Sequence, residues 1–209
     1  MVTAHQKHAP AGSDTKQICV DFANTLAWRA SDRPQDRLTG PDMLLRFGGR
    51  AGIFHEGEVD YLRARVADDP EEAQVALEKA KLAREAIYRI LFAAANRLPI
   101  AHTDVTLLNE VVDEAQDQVQ IVPAGPGESF VWRWKSQEPQ LDMVLWSAAR
   151  SAAELLTSEE LKRLKSCPGA GCAYLFIDLS RNGKRRWCEM DVCGNRNKVK
   201  RFRQSRQMP

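Results

Sequence analysis

Four cysteines near the C-terminus form the clearest chemical pattern in the chain. Cys167 and Cys172 make one pair and Cys188 and Cys193 a second, with four residues inside each pair and fifteen between the pairs. Zn²⁺ is bound tetrahedrally by thiolates in such pairs, and a full set of four sulfurs leaves no position for a reactive water. The pattern therefore predicts one structural zinc ion. Two disulfides are the alternative, which a reducing compartment would disfavour.

Positive charge is interleaved with these cysteines. Residues 162–209 contain thirteen Lys or Arg against three Asp or Glu, a net charge of +10, so residues 1–161 carry −8 of the chain's total of +2. Lys and Arg bind nucleic-acid phosphates, and the asymmetry predicts a polyanionic partner; a solvated charged surface is the alternative. The predicted nucleic-acid-binding residues are Arg181, Lys184, Arg185, Arg186, Arg196, Lys198, Lys200, Arg201 and Arg203.

Two stretches of the sequence resemble known families. Residues 181–188 read Arg-Asn-Gly-Lys-Arg-Arg-Trp-Cys, and Cys193-Gly194-Asn195-Arg196 follows; both resemble the CGNR zinc finger of bacterial proteins. The stretch from Ile18 to Leu26, Ile-Cys-Val-Asp-Phe-Ala-Asn-Thr-Leu, resembles the start of the ABATE domain that precedes that finger. The resemblance implies a stress-related transcription regulator with DNA as its partner.

Three polar residues lie within the N-terminal motif, beside an apolar helix face: Asp21, Asn24 and Thr25. The resemblance to ABATE domains implies a ligand pocket at these residues, and hence a small-molecule effector. Hydrogen bonds between helix and loop inside the domain are the alternative. Cys19 lies on the apolar face of the same helix and is interpreted as a small buried hydrophobe, with a redox-sensing thiol as the alternative.

The elements that must position these residues follow from the periodicity of apolar residues. We expect a disordered stretch over residues 1–14, an ABATE-like body over 15–160 and a zinc finger over 161–206. The fold class is mainly α with a small β-hairpin (α+β), followed by a treble-clef-like finger. Helical spacing predicts helices from Lys16 to about Ala27, from Pro41 to before Gly48, over 58–66, over 70–97, over 103–117, from 138 and over 159–165. Alternation at spacing two predicts a hairpin of residues 118–122 and 129–135.

Within the finger, residues 173–178 are apolar and aromatic enough for a strand. Asn182-Gly183 is a strong hairpin signal, so residues 184–188 are expected to return as the second strand. Cys193 then opens a basic helix to about Arg203. We expect Asn182 and Asn195 to cap turns.

Other observations limit the function classes. The chain has no apolar run of membrane-spanning length and no signal-peptide pattern, which predicts a cytoplasmic protein without a membrane partner. The four histidines are scattered, and no phosphate-binding loop or nucleophile–base arrangement is evident, so we do not expect an enzyme.

The prediction is a DNA-binding transcription regulator, with self-association of the body as a further hypothesis. An RNA- or ribosome-associated zinc protein is the first alternative, because phosphate contacts do not distinguish the two nucleic acids. A protein-interaction module whose basic tail folds onto its acidic body is the second.

Overall fold

The protein is described by a computed structural model that covers residues 15–125, 127 and 129–199. The stretch 1–14 and the predicted basic residues Lys200, Arg201 and Arg203 lie outside the described residues. In the part of the chain described, no helix combines the length and apolar character needed to cross a membrane.

Six α-helices form the body. They are α1 (Thr15–Ala23), α2 (Pro41–Arg50), α3 (Glu56–Asp68), α4 (Pro70–Asn96), α5 (His102–Asp117) and α6 (Asp142–Leu156). The strands pair as three antiparallel hairpins: β1 (Leu26–Ala27) with β2 (Gln35–Asp36), β3 (Val119–Pro123) with β4 (Phe130–Trp134), and β5 (Leu164–Ser166) with β6 (Leu175–Ile177). The predicted fold class, mainly α with small hairpins, is confirmed.

The core lies around α6, which packs against α1, α4 and α5. Ten of the fifteen residues of α6 are buried, including Met143, Val144 and Leu155, so this helix is apolar around most of its circumference. The longest helix, α4, begins as its sequence predicts. Pro70 takes the first position and the Asp69 carboxylate accepts the backbone N–H of Glu72 at 2.9 Å.

Three helix boundaries of the body differ from the predictions. Helix α6 begins at Asp142 and not at residue 138. Helix α1 ends at Ala23, and the next apolar residues, Leu26 and Ala27, form β1 instead of a further helical turn. Helix α2 continues through Gly48 and Gly49 to Arg50. Glycine is needed at position 48 because the helix backbone packs closely against neighbouring side chains there. A Cβ atom there would come within 2.5 Å of the Phe54 ring.

The approach to the finger also differs from the prediction. Residues 159–165 do not form one helix: a short 3₁₀ helix, Glu159–Arg163, leads directly into β5. Strand β6 pairs with β5, in the register Lys165 to Phe176, and residues 184–187 form no strand. The predicted finger hairpin therefore exists with a different partner strand. Among its apolar residues, Leu164, Leu175 and Ile177 belong to the body's core.

The end of the described chain is helical. A single π-helical turn, Met190–Gly194, carries Cys193, and residues 195–199 continue as a helix. The helix thus begins before Cys193, the predicted start. The side-chain amide of Asn195 donates to the backbone carbonyl of Asp191 at 3.2 Å. The side-chain oxygen of Asn182, Oδ1, accepts the backbone N–H of Lys184 at 3.2 Å. Both asparagines stabilise local turns, as predicted.

Candidate zinc centre and basic surface

The four predicted ligands meet at one point. The sulfur atoms of Cys167, Cys172, Cys188 and Cys193 all lie within 4.8 Å of one another. Cys167 and Cys172 flank the loop between β5 and β6, whereas Cys193 belongs to the π-helical turn. Three of the four residues are buried, and none is in a disulfide.

The separations between these sulfurs fit a tetrahedral zinc ion. Zn–S bonds of about 2.3 Å place tetrahedral sulfurs about 3.8 Å apart. The Sγ atoms of Cys172 and Cys188 lie 3.7 Å apart, and those of Cys188 and Cys193 also 3.7 Å apart. A disulfide would require about 2.0 Å. A bound zinc ion would cross-link the two cysteine pairs and so stabilise the loops that carry them.

Electrostatics within the cluster also favour a central cation. Hydrogen bonding from the Cys188 thiol lowers the pKa of Cys172, which favours a thiolate at this position. The same hydrogen bond raises the pKa of Cys188, and burial raises that of Cys193 to about 12. Four negative sulfurs at these separations repel one another, and a divalent cation removes that repulsion.

A glycine allows the first cysteine loop to close. A Cβ atom at Gly169 would lie 3.1 Å from the Sγ atom of Cys193, closer than a side chain packs in this position. Gly171 has a φ of +73°, in the left-handed region that glycine adopts without steric cost. The two glycines of the Pro-Gly-Ala-Gly segment between the first two cysteines therefore fit the close contact and the left-handed turn in this loop.

An ion-pair network braces the finger, and sequence reasoning did not find it. Asp178 is buried and accepts hydrogen bonds from Lys165 Nζ at 2.6 Å and from the backbone N–H of Arg185 at 2.9 Å. Lys165 also donates to the Gly183 carbonyl at 2.6 Å. The hydrogen bond from Lys165 holds the pKa of Asp178 well below its usual range. Only the pairing of β5 with β6 brings Lys165 and Asp178 together, so no local spacing could reveal them.

The predicted basic residues are not equivalent in the structure. Arg185 donates through Nε to the Trp187 carbonyl at 2.9 Å and through Nη2 to the carbonyl of the ligand Cys188, and its guanidinium lies 4.9 Å from the Phe176 ring centroid. The Arg196 guanidinium lies 4.5 Å from the ring centroid of Trp28 in the body. These two side chains therefore have structural contacts that the sequence did not predict.

The remaining described cations face solvent. They are Arg181, Lys184, Arg186 and Lys198. Arg186 lies 5.7 Å from the ring of its neighbour Trp187, and between described residues no ion pair joins any of the four to a carboxylate. Their charges are thus available to a partner.

Asn24 joins the finger to the body. Its side-chain Nδ2 donates to the Leu175 carbonyl at 2.8 Å, and its Oδ1 accepts the Leu175 N–H at 3.0 Å. The amide thus completes the free edge of β6 as another strand would. The Tyr88 hydroxyl donates to the Ala173 carbonyl at 3.0 Å, and Ser166 Oγ donates to Asn96 Oδ1 at 3.0 Å.

Trp28 belongs to the body but packs with the finger. Its side chain lies against the buried cluster of the zinc ligands and Phe176, and its backbone has a φ of 56°. A non-glycine residue in this left-handed region is uncommon and is strained. Trp28 has this backbone conformation where its side chain packs on the finger.

The other residues of the N-terminal motif have different roles. Thr25 donates to the Phe22 carbonyl at 2.7 Å and accepts from Arg84, a buried arginine that also pairs with Asp36 at 2.6 Å. Thr25 therefore makes hydrogen bonds inside the body, as the alternative interpretation proposed, whereas those of Asn24 join the body to the finger. Together with Asp21, they also line a cavity of about 730 Å³ between body and finger.

Cys19 lies apart from the metal centre. It is fully buried on α1, where its backbone N–H donates to Ser151 Oγ at 2.9 Å. Burial raises the pKa of its thiol to about 12. Its interpretation as a small buried hydrophobe agrees with this position, whereas a reactive thiol needs exposure and a lowered pKa.

Comparison with protein families matches this division of the chain. Residues 16–159 match the ABATE family, described as "Putative stress-induced transcription regulator". The chain belongs to the ABATE family. Residues 163–206 of this ABATE protein match the CGNR zinc finger, so the two modules follow each other in the order that the resemblance implied. A search among curated proteins finds no match to the chain.

Proposed function

We propose that this ABATE protein is a DNA-binding transcription regulator whose zinc finger contacts the phosphate backbone. The observation that supports it most directly is the group of solvent-facing cations around the metal centre, Arg181, Lys184, Arg186 and Lys198. They belong to one small folded module, so binding does not require its backbone to be ordered first. The family description points to the same role.

Among described residues, no ion pair joins residues 181–199 to a carboxylate of the body. The polar links from finger to body are hydrogen bonds such as that from Asn24 to Leu175, and the contact of the Arg196 guanidinium with the Trp28 ring. This weighs against the alternative in which a basic tail folds onto an acidic body. The lysine in the finger that does form an ion pair, Lys165, pairs with Asp178 inside the finger.

A binding role is also favoured over catalysis. Four cysteine ligands would complete the coordination of a zinc ion, so the metal would supply cross-linking and no site for an activated water. The body would then carry the regulatory input, through an effector or a second copy of the chain. These assignments form part of the proposal.

The test replaces four exposed finger cations and measures the salt dependence of binding to duplex DNA. In the variant R181A/K184A/R186A/K198A, each lost phosphate contact flattens the slope of log affinity against log salt by about 0.9, so four contacts give roughly 3 to 4. Arg185 is left unchanged, because its bond to the Cys188 carbonyl would confuse charge with structure. Zinc content should stay at one ion per chain.

The matched control removes the same charge from the body. Arg46, Arg63, Arg65 and Lys79 are exposed cations of α2, α3 and α4, and replacing them with Ala should leave the slope unchanged. Equal slopes for the two variants would reject phosphate contact by the finger. Tighter binding of a matched RNA would favour the alternative of an RNA-associated protein.

A further inference from the structure

The cavity between body and finger is large enough for a small molecule. Its volume of about 730 Å³ lies within the roughly 300–1,000 Å³ typical of ligand pockets. One wall is formed by α1 and the end of α2, and the other by residues 174–177 and the cysteine loops. A zinc ion held by about 2.3 Å bonds fills only the space between the sulfurs, so the cavity extends well beyond the metal centre.

The lining combines aromatic rings with arginines. Trp28, Tyr174 and Phe176 line the cavity, and a planar ring packs well against such side chains. Arg50, the last residue of α2, and Arg37, before α2, also line it. Between described residues, neither arginine forms an ion pair with a carboxylate.

The charges of the lining limit the ligand's own charge. The guanidinium of Arg37 lies 5.9 Å from the Tyr174 ring centroid, so a cation and a ring surface lie next to each other. A third arginine, Arg185, and two carboxylates, Asp21 and Glu189, also belong to the lining, so the three arginines and two carboxylates together carry a net charge of +1. This combination favours a monoanion over a polyanion such as nucleic acid.

We propose that this cavity binds a small aromatic monoanion, such as an aromatic carboxylate or sulfonate, and that the ligand holds the zinc finger in its docked position on the body. Since both parts of the protein line the cavity, a ligand contacts both at once. It therefore binds the docked arrangement and stabilises it by mass action. This inference deepens the regulatory role proposed for the body, but its test needs no nucleic acid.

The experiment uses the full zinc-loaded chain and the probe 8-anilinonaphthalene-1-sulfonate, an aromatic monoanion. Binding is followed by energy transfer from tryptophan, because Trp28 lines the cavity. Arg50→Gln removes one charge but keeps much of the side chain's length. We expect its affinity for the probe to fall about tenfold, as for the loss of one charged hydrogen bond. The neutral N-phenyl-1-naphthylamine should bind both proteins alike.

Two controls separate the cavity from the protein surface. Arg46 lies one turn before Arg50 on α2, is 62% exposed and does not line the cavity, so Arg46→Gln should bind the probe like the wild type. Removing zinc should abolish the difference in probe affinity between Arg50→Gln and the wild type, because the finger supplies half of the wall. Binding to apolar surface exposed by metal loss would be the same in both proteins.

Three results would overturn the proposal. One is equal probe affinity in Arg50→Gln and the wild type, and another is an effect of Arg50→Gln on probe affinity that persists without zinc. The third is probe binding that falls in the R181A/K184A/R186A/K198A variant and not in Arg50→Gln, since this would place the probe on the basic surface. None of these results would alter the salt slope for DNA, so the two proposals fail separately.

Discussion

At the scale of single residues, Asn24 joins the N-terminal motif to the zinc finger. Both polar atoms of its amide bond the backbone of Leu175, a residue 151 positions later in the chain. The motif was interpreted as the edge of a ligand pocket, and Asn24 does line the cavity. Its direct contacts, however, are with the finger. The same residue thus shapes the cavity and fixes the module that closes it.

Replacing Asn24 with Asp tests this role with almost no change in shape. The carboxylate cannot donate to the Leu175 carbonyl and leaves that acceptor without its partner. We expect the free energy of unfolding to fall by about 1–3 kcal/mol. Urea unfolding of the zinc-loaded protein measures it.

Asn109→Asp is the matched control, because Asn109 is an exposed residue of α5. It should change stability by less than about 0.5 kcal/mol. Equal effects of the two substitutions would mean that Asn24 does not hold the finger.

At the scale of elements, helix α2 shows how tertiary contacts extend a local pattern. Two glycines near its end indicate a stop, since glycine is a poor helix former. The helix nonetheless continues to Arg50, because Gly48 lets it approach Phe54 and Val144 closely. The extension matters for the cavity, since Arg50 and Ala51 lie at this end of the helix and line it.

Substitution of this glycine should distinguish close packing from helix propensity. A Cβ atom at position 48 would lie 2.5 Å from the Phe54 ring and 2.9 Å from the Val144 side chain. Gly48→Ala should therefore destabilise the protein by about 1–3 kcal/mol despite alanine's better helix propensity.

Gly57→Ala in α3 is the counterpart, because the nearest atoms there are 3.8 Å away. It should leave stability unchanged or raise it by up to about 1 kcal/mol. Thermal unfolding measured by circular dichroism compares the two variants. A stabilised Gly48→Ala protein would show that α2 has space on this side.

At the scale of the whole molecule, body and finger share one core. Leu164, Leu175 and Ile177 of the β5–β6 hairpin are buried among the helices of the body, while Trp28 of the body packs with the zinc ligands. The finger is therefore not a separate unit on a linker. Loss of the metal should therefore lower the stability of the helices next to it.

Metal removal tests this coupling. If the finger were an independent module, Cys188→Ser would release zinc and unfold the finger while the body stayed folded. The shared core leads us to expect zinc loss together with a fall of several degrees in the unfolding temperature of the helices. Elemental analysis and the helical signal at 222 nm provide the two measurements.

Cys19→Ser is the control for cysteine chemistry. Cys19 is buried on α1, away from the ligand cluster, so this variant should keep one zinc ion per chain even if its core is less stable. If Cys188→Ser lost zinc but unfolded at the wild-type temperature, body and finger would be energetically independent.

The local sequence was enough to predict the metal ligands and most helices of the body. Two closely spaced pairs of cysteines directly indicate a zinc site. Asp69 and Pro70 mark the start of α4, because the Asp69 side chain accepts a backbone N–H and proline fixes the φ angle of the first turn. The hairpin of β3 and β4 followed from alternation at spacing two.

Only the tertiary structure decided how the finger is held and which of its cations are free. The partner of β6, the contacts of Asn24 with Leu175 and the pairing of Lys165 with Asp178 join residues far apart in sequence. Such contacts depend on which surfaces meet in the folded chain, and a periodic pattern reports only that a surface is apolar. For the same reason, a run of basic residues could not show that Arg185 braces the metal loop while Lys184 faces solvent.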